Sequence, residues 1–334
     1  MKRIKKVFWI RFLASFVIAL TVLGAGMLLG YQYMFGKMER GASLTREEAG
    51  VTESDYFKSG VLNIALFGID TLDGDMIGRS DGILILTVDN NEKEMRISSI
   101  QRDTYVKIEG YGHTKLNHAY AYGGAELAVK TLNQNFGLDI TDYMVINFTN
   151  MEKVIDELGG IDLDVSEAYR KEANIHIGLL AEDRGITPSL IEESGYQTLN
   201  GMQALGVLRA RKNVGGTAQR SAMHEIVMKA CYEKVKKMNA LQYPGLIRSL
   251  LGLVKTTLNA GDLTGLATKV VLSGYPIRQG VFPLEADQPN GDGGAMIDGV
   301  WYLTYDEEEG GEHLRDFIYN GVLYGEDDED DEDE

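Results

Sequence analysis

Two short, nearly continuous runs of aliphatic residues most constrain the fold of this 334-residue chain. Residues 61–67 (VLNIALF) and 82–88 (GILILTV) are short and rich in aliphatic side chains, which predicts strands. Because apolar side chains occupy both faces of each strand, the sheet needs cover on both sides. A third strand is predicted at 95–100, and the turn residues at 90–93 predict a hairpin between the last two strands.

Segments with helical periodicity alternate with further strands along the rest of the chain. Strands are predicted at 142–148, 161–165 and 299–303. Helices are predicted at 124–137, 150–158, 219–238, 241–258, 262–273 and 312–319, with a short one after Asn200. Asn150 and Asp262 are the expected N-caps of their helices. The alternation indicates an α/β layered sheet within one domain, residues 60–324.

An uncharged, mostly apolar segment of 18 residues lies near the N-terminus, at 12–29. A membrane-spanning helix needs about 20 such residues, and a cleavable signal peptide has a shorter apolar region. The sequence therefore predicts a transmembrane signal anchor at 12–30, with a basic cytoplasmic flank at 1–11. Residues 31–59 are expected to form a stalk that carries the domain outside the cell membrane.

The formal net charge of −17 is distributed unevenly. The last nine residues are all acidic, so residues 325–334 are expected to form a disordered tail. The acidic balance argues against nucleic acid as a partner. The single cysteine, Cys231, excludes an intrachain disulfide and a cysteine-based zinc site.

Charged residues gather in four short segments at or beside predicted strand and helix ends. The segments are 67–70 (FGID), 78–81 (GRSD), 99–104 (SIQRDT) and 208–211 (LRAR), with Arg220 shortly after the last. Ligands of open α/β sheets bind at strand ends. Arginine binds phosphate with a planar fork, and Asp70 and Asp81 offer the hard oxygen ligands that Mg²⁺ shares with substrate phosphates. The pattern indicates a magnesium-bound phosphate ester or diphosphate.

Six segments in a fixed order resemble the LytR-CpsA-Psr family. They are NIALFGID at 63–70, GRSDGILILTV at 78–88, SSIQRDTYVKI at 98–108, KLNHAYAYGG at 115–124, VIDELGGIDLDV at 154–165 and LNGMQALGVLRARK at 199–212, followed by FIYNG at 317–321. The resemblance covers about residues 60–322. It implies a three-layer α/β/α sandwich with a central mixed sheet, on the outer face of a Gram-positive membrane.

The same resemblance implies a magnesium-dependent phosphotransferase. Such an enzyme moves a glycopolymer with its linking phosphate from a polyprenyl-diphosphate carrier to peptidoglycan. Asp70 and Asp81 match the magnesium ligands, and Asp103 matches an acid that orients its neighbouring arginine. The residues expected around the diphosphate are Arg79, Arg102, Lys115, Arg209, Arg211 and Arg220. The expected catalytic set is Arg102, Asp103, Arg209, Arg211 and Arg220.

Four positions depart from the family pattern. Gln101 stands where proline is common, and Thr217, Met223 and His224 replace an acid, a second arginine and a glutamine. The general base is therefore unidentified, although His224 is a candidate because histidine titrates near neutrality. Two alternatives remain open: a hydrolase of the polyprenyl diphosphate, and a non-catalytic binder or regulator of polyprenyl lipids.

Overall fold

The structure is a computed structural model. It describes residues 39–71, 76, 78–210, 217–238, 246, 249–250, 252–271, 274–289 and 293–324. The predicted basic flank, signal anchor and acidic tail all lie outside these residues. Within the described residues, no helix combines the length and the apolar character that crossing a membrane requires.

The strands build one central mixed sheet and three small two-stranded sheets. In chain order they are β1 (Glu39–Arg40), β2 (Val61–Ile69), β3 (Ser80–Asp89), β4 (Glu94–Ile100), β5 (Tyr105–Ile108), β6 (Gly112–Lys115), β7 (Asp142–Asn147), β8 (Ile161–Val165), β9 (Gly195–Leu199), β10 (Lys255–Thr256), β11 (Ile277–Phe282), β12 (Gly294–Ile297) and β13 (Val300–Leu303). In the described part of the chain the large sheet has seven strands, in the order β1-β10-β7-β2-β3-β4-β11. The predicted hairpin between β3 and β4 is confirmed, and β2 pairs in parallel with β7.

Helices cover both faces of this sheet. They are α1 (Asn117–Phe136), α2 (Phe148–Glu157), α3 (Glu167–Arg184), α4 (Gly201–Arg209), α5 (Thr217–Lys237), α6 (Ala260–Val271) and α7 (Glu307–Arg315), which continues into a π-helix at Asp316–Asn320. One face packs against α1, α7 and the π-helix in the main apolar core. The other face is covered by α2, α5 and α6 across an apolar cavity. The α/β architecture with a central mixed sheet is confirmed.

Alternating side chains of the central strands separate these two layers. Ala65, Phe67 and Ile69 of β2 are buried in the core beside α1. The Leu66 side chain points the other way, and Leu66 and Gly68 line the cavity. This division follows from the two-residue period of a strand, which sends successive side chains to opposite faces. The apolar runs therefore serve a packed core on one side and a cavity on the other.

Three helix boundaries differ from the sequence predictions. Asn147, not Asn150, caps α2, because its side-chain oxygen accepts a hydrogen bond from the Asn150 amide at 2.7 Å. The α6 helix begins at Ala260, and Asn259 rather than Asp262 accepts from the first amides. The predicted helix at 241–258 is wrong at its end, since Lys255–Thr256 pairs with β7 as a strand.

Residues 39–59, which the sequence assigns to a stalk, pack against the domain. Strand β1 joins the edge of the central sheet through β10. Ala49 is fully buried, and its carbonyl accepts a hydrogen bond from the Asn133 side chain at 2.8 Å. Tyr56 and Phe57 pack on the main core and contact the ring of Tyr319. The sequence did not predict these apolar contacts, because the segment is mostly polar and its apolar residues have no regular spacing.

Candidate functional site

An apolar cavity of about 390 Å³ lies between the central sheet and helices α2, α5 and α6. Its lining combines the outward residues of β2, β3 and β7 with apolar side chains of the helices, and Asn147 and His224 are its polar members. Cavities of this size commonly hold a small ligand or part of a larger one. The lining is suited to a hydrocarbon chain. The sequence predicted no position for such a slot.

A β-bulge places two carboxylates at the end of β2 and β3. Gly68 pairs with Gly82, but the next pair is Ile69 with Ser80, so Asp81 is the extra residue. A bulge redirects the side chain it carries, which makes bulges frequent beside active sites. Asp70 follows Ile69 directly, and its amide donates to the Arg79 carbonyl at 3.2 Å. Both predicted metal ligands therefore lie at the same end of this strand pair.

Arg102 connects two buried acids in a continuous ion network. Its Nη1 lies 2.6 Å from Asp81 Oδ2, and its Nε lies 3.3 Å from Asp103 Oδ2. Lys115 Nζ lies 2.8 Å from the other oxygen of Asp103. Both acid side chains are 8% exposed, and both basic side chains are 20% exposed. The expected ion pair of Asp103 with Arg102 is present, and it fixes the guanidinium beside Asp81.

Arg209 forms a second charged pair at the C-terminal end of α4. Its Nη2 donates to Asp70 Oδ1 at 2.7 Å. The guanidinium carbon lies 5.4 Å from the centre of the Phe148 ring, which lines the cavity. A guanidinium over an aromatic face gains electrostatic attraction. Arg209 therefore spans from Asp70 to the cavity wall.

Asn117 is a site residue that sequence reasoning missed. It is 4% exposed, and its Nδ2 lies 3.5 Å from Asp81 Oδ1. Its Oδ1 is buried and has no hydrogen-bond partner among the described residues. Buried polar atoms normally have partners, so an unpartnered amide oxygen beside a carboxylate fits an oxygen-binding cation such as Mg²⁺. The signal was its position two residues after Lys115, at the start of α1.

The remaining predicted site residues make fewer described contacts with the charged cluster. Arg79 is exposed. Burial lowers the pKa of His118, and the charges of Arg79 and Lys115 lower it further. Arg220 lies in the first turn of α5. The prediction for Arg211 falls outside the described residues. Among the residues that the structure describes, no group of three or more His, Cys, Asp or Glu could hold a metal, so a cation here would depend on Asp70, Asp81 and the Asn117 amide.

Two of the departures from the family pattern have structural roles. Gln101 is 2% exposed, and its side-chain amide donates to the Pro283 carbonyl at 3.3 Å. Met223 is 8% exposed and packs in the apolar cluster that joins α2, α3, α4 and α5. Met223 therefore contributes to apolar packing, where the family pattern has an arginine.

His224 lies where the cavity meets the charged cluster. It lines the cavity from α5, and its Nε2 is buried without a partner among the described residues. Burial lowers the pKa of His224 to about 4; the charge of Asp81 opposes the shift and that of Arg102 adds to it. The imidazole is therefore neutral near pH 7.

The lowered pKa of His224 predicts a specific acid sensitivity. An unfolded chain binds a proton on this histidine near pH 6.5, whereas the folded chain binds it only near pH 4. The contribution of His224 to the free energy of unfolding is therefore fully present above pH 6.5. It falls, by up to about 3 kcal/mol, as the pH drops towards 4. Chemical denaturation of the protein and of His224→Gln between pH 4 and 7 measures this. An equal pH dependence of the two proteins would contradict the prediction.

Together, fold and site define an α/β protein in which a charged cluster suited to phosphate adjoins a cavity suited to hydrocarbon. A ligand that fills both is an amphiphile with a phosphate head. The LytR_cpsA_psr family model matches residues 31–315, and the chain belongs to this family.

Named relatives and solved structures agree with this assignment. The chain is 29% identical to the polyisoprenyl-teichoic acid–peptidoglycan teichoic acid transferase TagU of Oceanobacillus iheyensis, over 92% of each chain. It is 30% identical to the corresponding transferase TagT of Bacillus subtilis, over 79% of this chain and 82% of that one. The structure of TagT bound to LIIa-WTA superposes with a TM-score of 0.65 at 25% identity, and covers 84% of this chain and 100% of that one.

Proposed function

We propose that the protein transfers a glycopolymer, with its linking phosphate, from a polyprenyl-diphosphate carrier to peptidoglycan. The observation that carries the proposal is the junction of the cavity and the charged cluster. Leu208 lines the cavity and Arg209 follows it, while Gly82 lines the cavity and Asp81 precedes it. A lipid in the cavity would therefore place its diphosphate among these charges. The names of the relatives TagU and TagT support the same reaction.

The chemistry requires charge stabilisation at phosphorus. A sugar hydroxyl of the acceptor attacks the phosphorus that carries the glycan, and its proton passes to water. The bond to the bridging oxygen breaks, and polyprenyl phosphate leaves. Arg102 and Arg209 are held by their aspartates where negative charge grows on the phosphate oxygens. A bound Mg²⁺ would neutralise part of this charge, and Asp70, Asp81 and Asn117 would hold it.

The location of the reaction is part of the proposal. The apolar segment at 12–30 would anchor the chain in the cell membrane, with the N-terminus in the cytoplasm and the domain outside. The ectodomain carries excess negative charge, so the anchor rather than long-range attraction would bring it close to the anionic carrier.

A reconstituted transfer assay tests this function. The full chain in detergent micelles is incubated with a polyprenyl-diphosphate glycan, Mg²⁺ and purified peptidoglycan. We expect covalent transfer of glycan phosphate, and a large loss of rate with a chelator that Mg²⁺ restores. Release of glycan phosphate that needs no acceptor would instead identify a hydrolase. Unaltered lipid after long incubation would identify a binder.

Filling the cavity is expected to block the lipid while leaving the charged cluster intact. Met144 of β7 lines the cavity, and Met144→Trp adds an indole to the space for the hydrocarbon chain. We expect polyprenyl-phosphate affinity to fall by at least about tenfold, with a stability loss of about 1–3 kcal/mol from overpacking. Met296→Trp is the matched control, since Met296 is 66% exposed on β12. Equal lipid affinity of both variants and the parent protein would exclude the cavity as the lipid site.

A further inference from the structure

Exposed and half-buried aromatic rings gather on one side of the charged cluster. We call Tyr105, Tyr111, His113, Tyr122, Trp301 and Tyr302 the aromatic surface. Tyr111, Tyr122 and Trp301 are 55%, 44% and 37% exposed. Ring centres lie 4.4 Å apart for Tyr111 and Tyr122, and 4.8 Å apart for Tyr105 and Tyr302. Large exposed apolar patches on a protein surface commonly mark a binding site.

The tryptophan of this surface lies against a glycine of the neighbouring strand. A Cβ on Gly294 would lie 2.1 Å from Trp301 Nε1, which is far inside contact distance. Only the absence of a side chain at Gly294 lets the indole lie against strand β12. A side chain at this position would displace the indole from the strand.

The aromatic surface is continuous with the charged cluster through Lys115. Its Nζ binds Asp103 and lies 5.7 Å from the centre of the Trp301 ring and 5.8 Å from that of Tyr302. On the other side, the ring centre of His118 lies 5.7 Å from that of Tyr122. A chain-like ligand on these rings would reach the phosphate site directly.

The cavity and the aromatic surface approach the phosphate site from opposite layers. The cavity lies on the α5 side of the sheet. The β5–β6 hairpin packs on the other side, with Val106 and Ile108 buried in the core beside α1. In phosphoryl transfer the attacking and leaving oxygens are roughly in line. If polyprenyl phosphate leaves on the cavity side, the attacking hydroxyl arrives on the side of the aromatic surface.

We infer that the aromatic surface binds the aminosugar chain of the peptidoglycan acceptor and positions its hydroxyl for attack. The inference rests on the proposed function and names the site of its second substrate. The negative faces of aromatic rings attract the C–H edges of neutral sugar rings and repel phosphate groups. The surface therefore suits a neutral aminosugar chain better than the phosphate-linked polymer of the donor.

A fluorescence titration tests the sugar binding without any turnover. The chain has two tryptophans, so Trp9→Phe makes Trp301 the single reporter. The full chain in detergent with this substitution is titrated with the tetramer of N-acetylglucosamine. We expect a saturable change in Trp301 emission, and an affinity about tenfold lower when Tyr122→Ala is added. Tyr196→Ala is the matched control, because Tyr196 is 74% exposed on β9, outside the aromatic surface.

The transfer assay then separates acceptor from donor. Tyr122→Ala is expected to raise the KM for peptidoglycan about tenfold while the KM for the donor stays unchanged. A rise in the donor KM alone would assign the surface to the donor glycan and overturn the inference. No emission change with the tetramer, or equal effects of the Tyr122 and Tyr196 substitutions, would also overturn it. Tetramer binding with no transfer to any acceptor would reject the proposed function while keeping a sugar-binding surface.

Discussion

Arg102→Ala is expected to lower kcat for glycopolymer transfer by about 10²–10³-fold, the usual loss when one preorganised charge-stabilising donor is removed. The Arg102 guanidinium lies between Asp81 and Asp103, with an oxygen of each carboxylate within 3.3 Å. This arrangement holds it at the proposed phosphate site before the substrate arrives, so little reorganisation is needed when charge develops. The measurement is the rate of transfer at saturating donor and acceptor.

Two further variants make this result specific to the geometry of Arg102. Arg102→Lys keeps the charge but not the fork, so we expect only partial recovery of the rate. Arg46→Ala removes an arginine whose ion pair with Glu53 is exposed, and we expect no change in rate. Denaturation curves of all three variants separate loss of activity from loss of fold. A kcat within threefold of the parent value for a folded Arg102→Ala protein would remove this residue from the catalytic set.

Arg96→Ala is expected to lower the free energy of unfolding by about 3–5 kcal/mol, the cost of leaving a buried charge without its partner. The Arg96 side chain is 1% exposed on β4 and lies 3.0 Å from Asp89, which is 3% exposed. It also binds Glu94 and donates to the Ile318 carbonyl at 2.7 Å. The residue therefore ties the π-helix at Asp316–Asn320 to the sheet. Urea denaturation at pH 7 measures the loss.

The control for Arg96 is again the exposed pair of Arg46 and Glu53. Arg46→Ala is expected to cost less than about 1 kcal/mol, because water screens exposed ion pairs. The double variant Arg96→Met with Asp89→Leu removes both buried charges, and we expect it to recover part of the lost stability. An Arg96→Ala protein as stable as Arg46→Ala would show that the buried network makes no net contribution to the free energy of unfolding.

Several elements were not predicted from the sequence, because tertiary contacts rather than local patterns stabilise them. The α3 helix at Glu167–Arg184 was not predicted, and its buried residues Ala173 and Ile177 pack against α4. Strand β11 is an edge strand that pairs only with β4 in the central sheet, and it too was not predicted. The start of α1 at Asn117 was placed seven residues too late, because Gly123 and Gly124 break the helical conformation inside it.

The candidate site also contains residues that the sequence indicated and one that it did not. Asp70, Asp81, Arg102 and Arg209 could be singled out because each is a charged residue next to an apolar run, and the structure pairs them as Asp81 with Arg102 and Asp70 with Arg209. Asn117 was missed, since its position two residues after Lys115 is a weak signal and a neutral amide is not distinctive by itself. Its importance comes from contact with Asp81, 36 residues away in the chain.

By itself the sequence determined the central strands, the order of the family motifs and the charged residues near strand ends, because periodicity and residue type are local properties. Only the tertiary structure decided where the cavity lies, which acid each arginine binds and how the aromatic surface meets Lys115. These features depend on strand register: a single extra residue at Asp81 redirects its carboxylate towards Arg102. Register is settled by packing between distant segments, which no local pattern records.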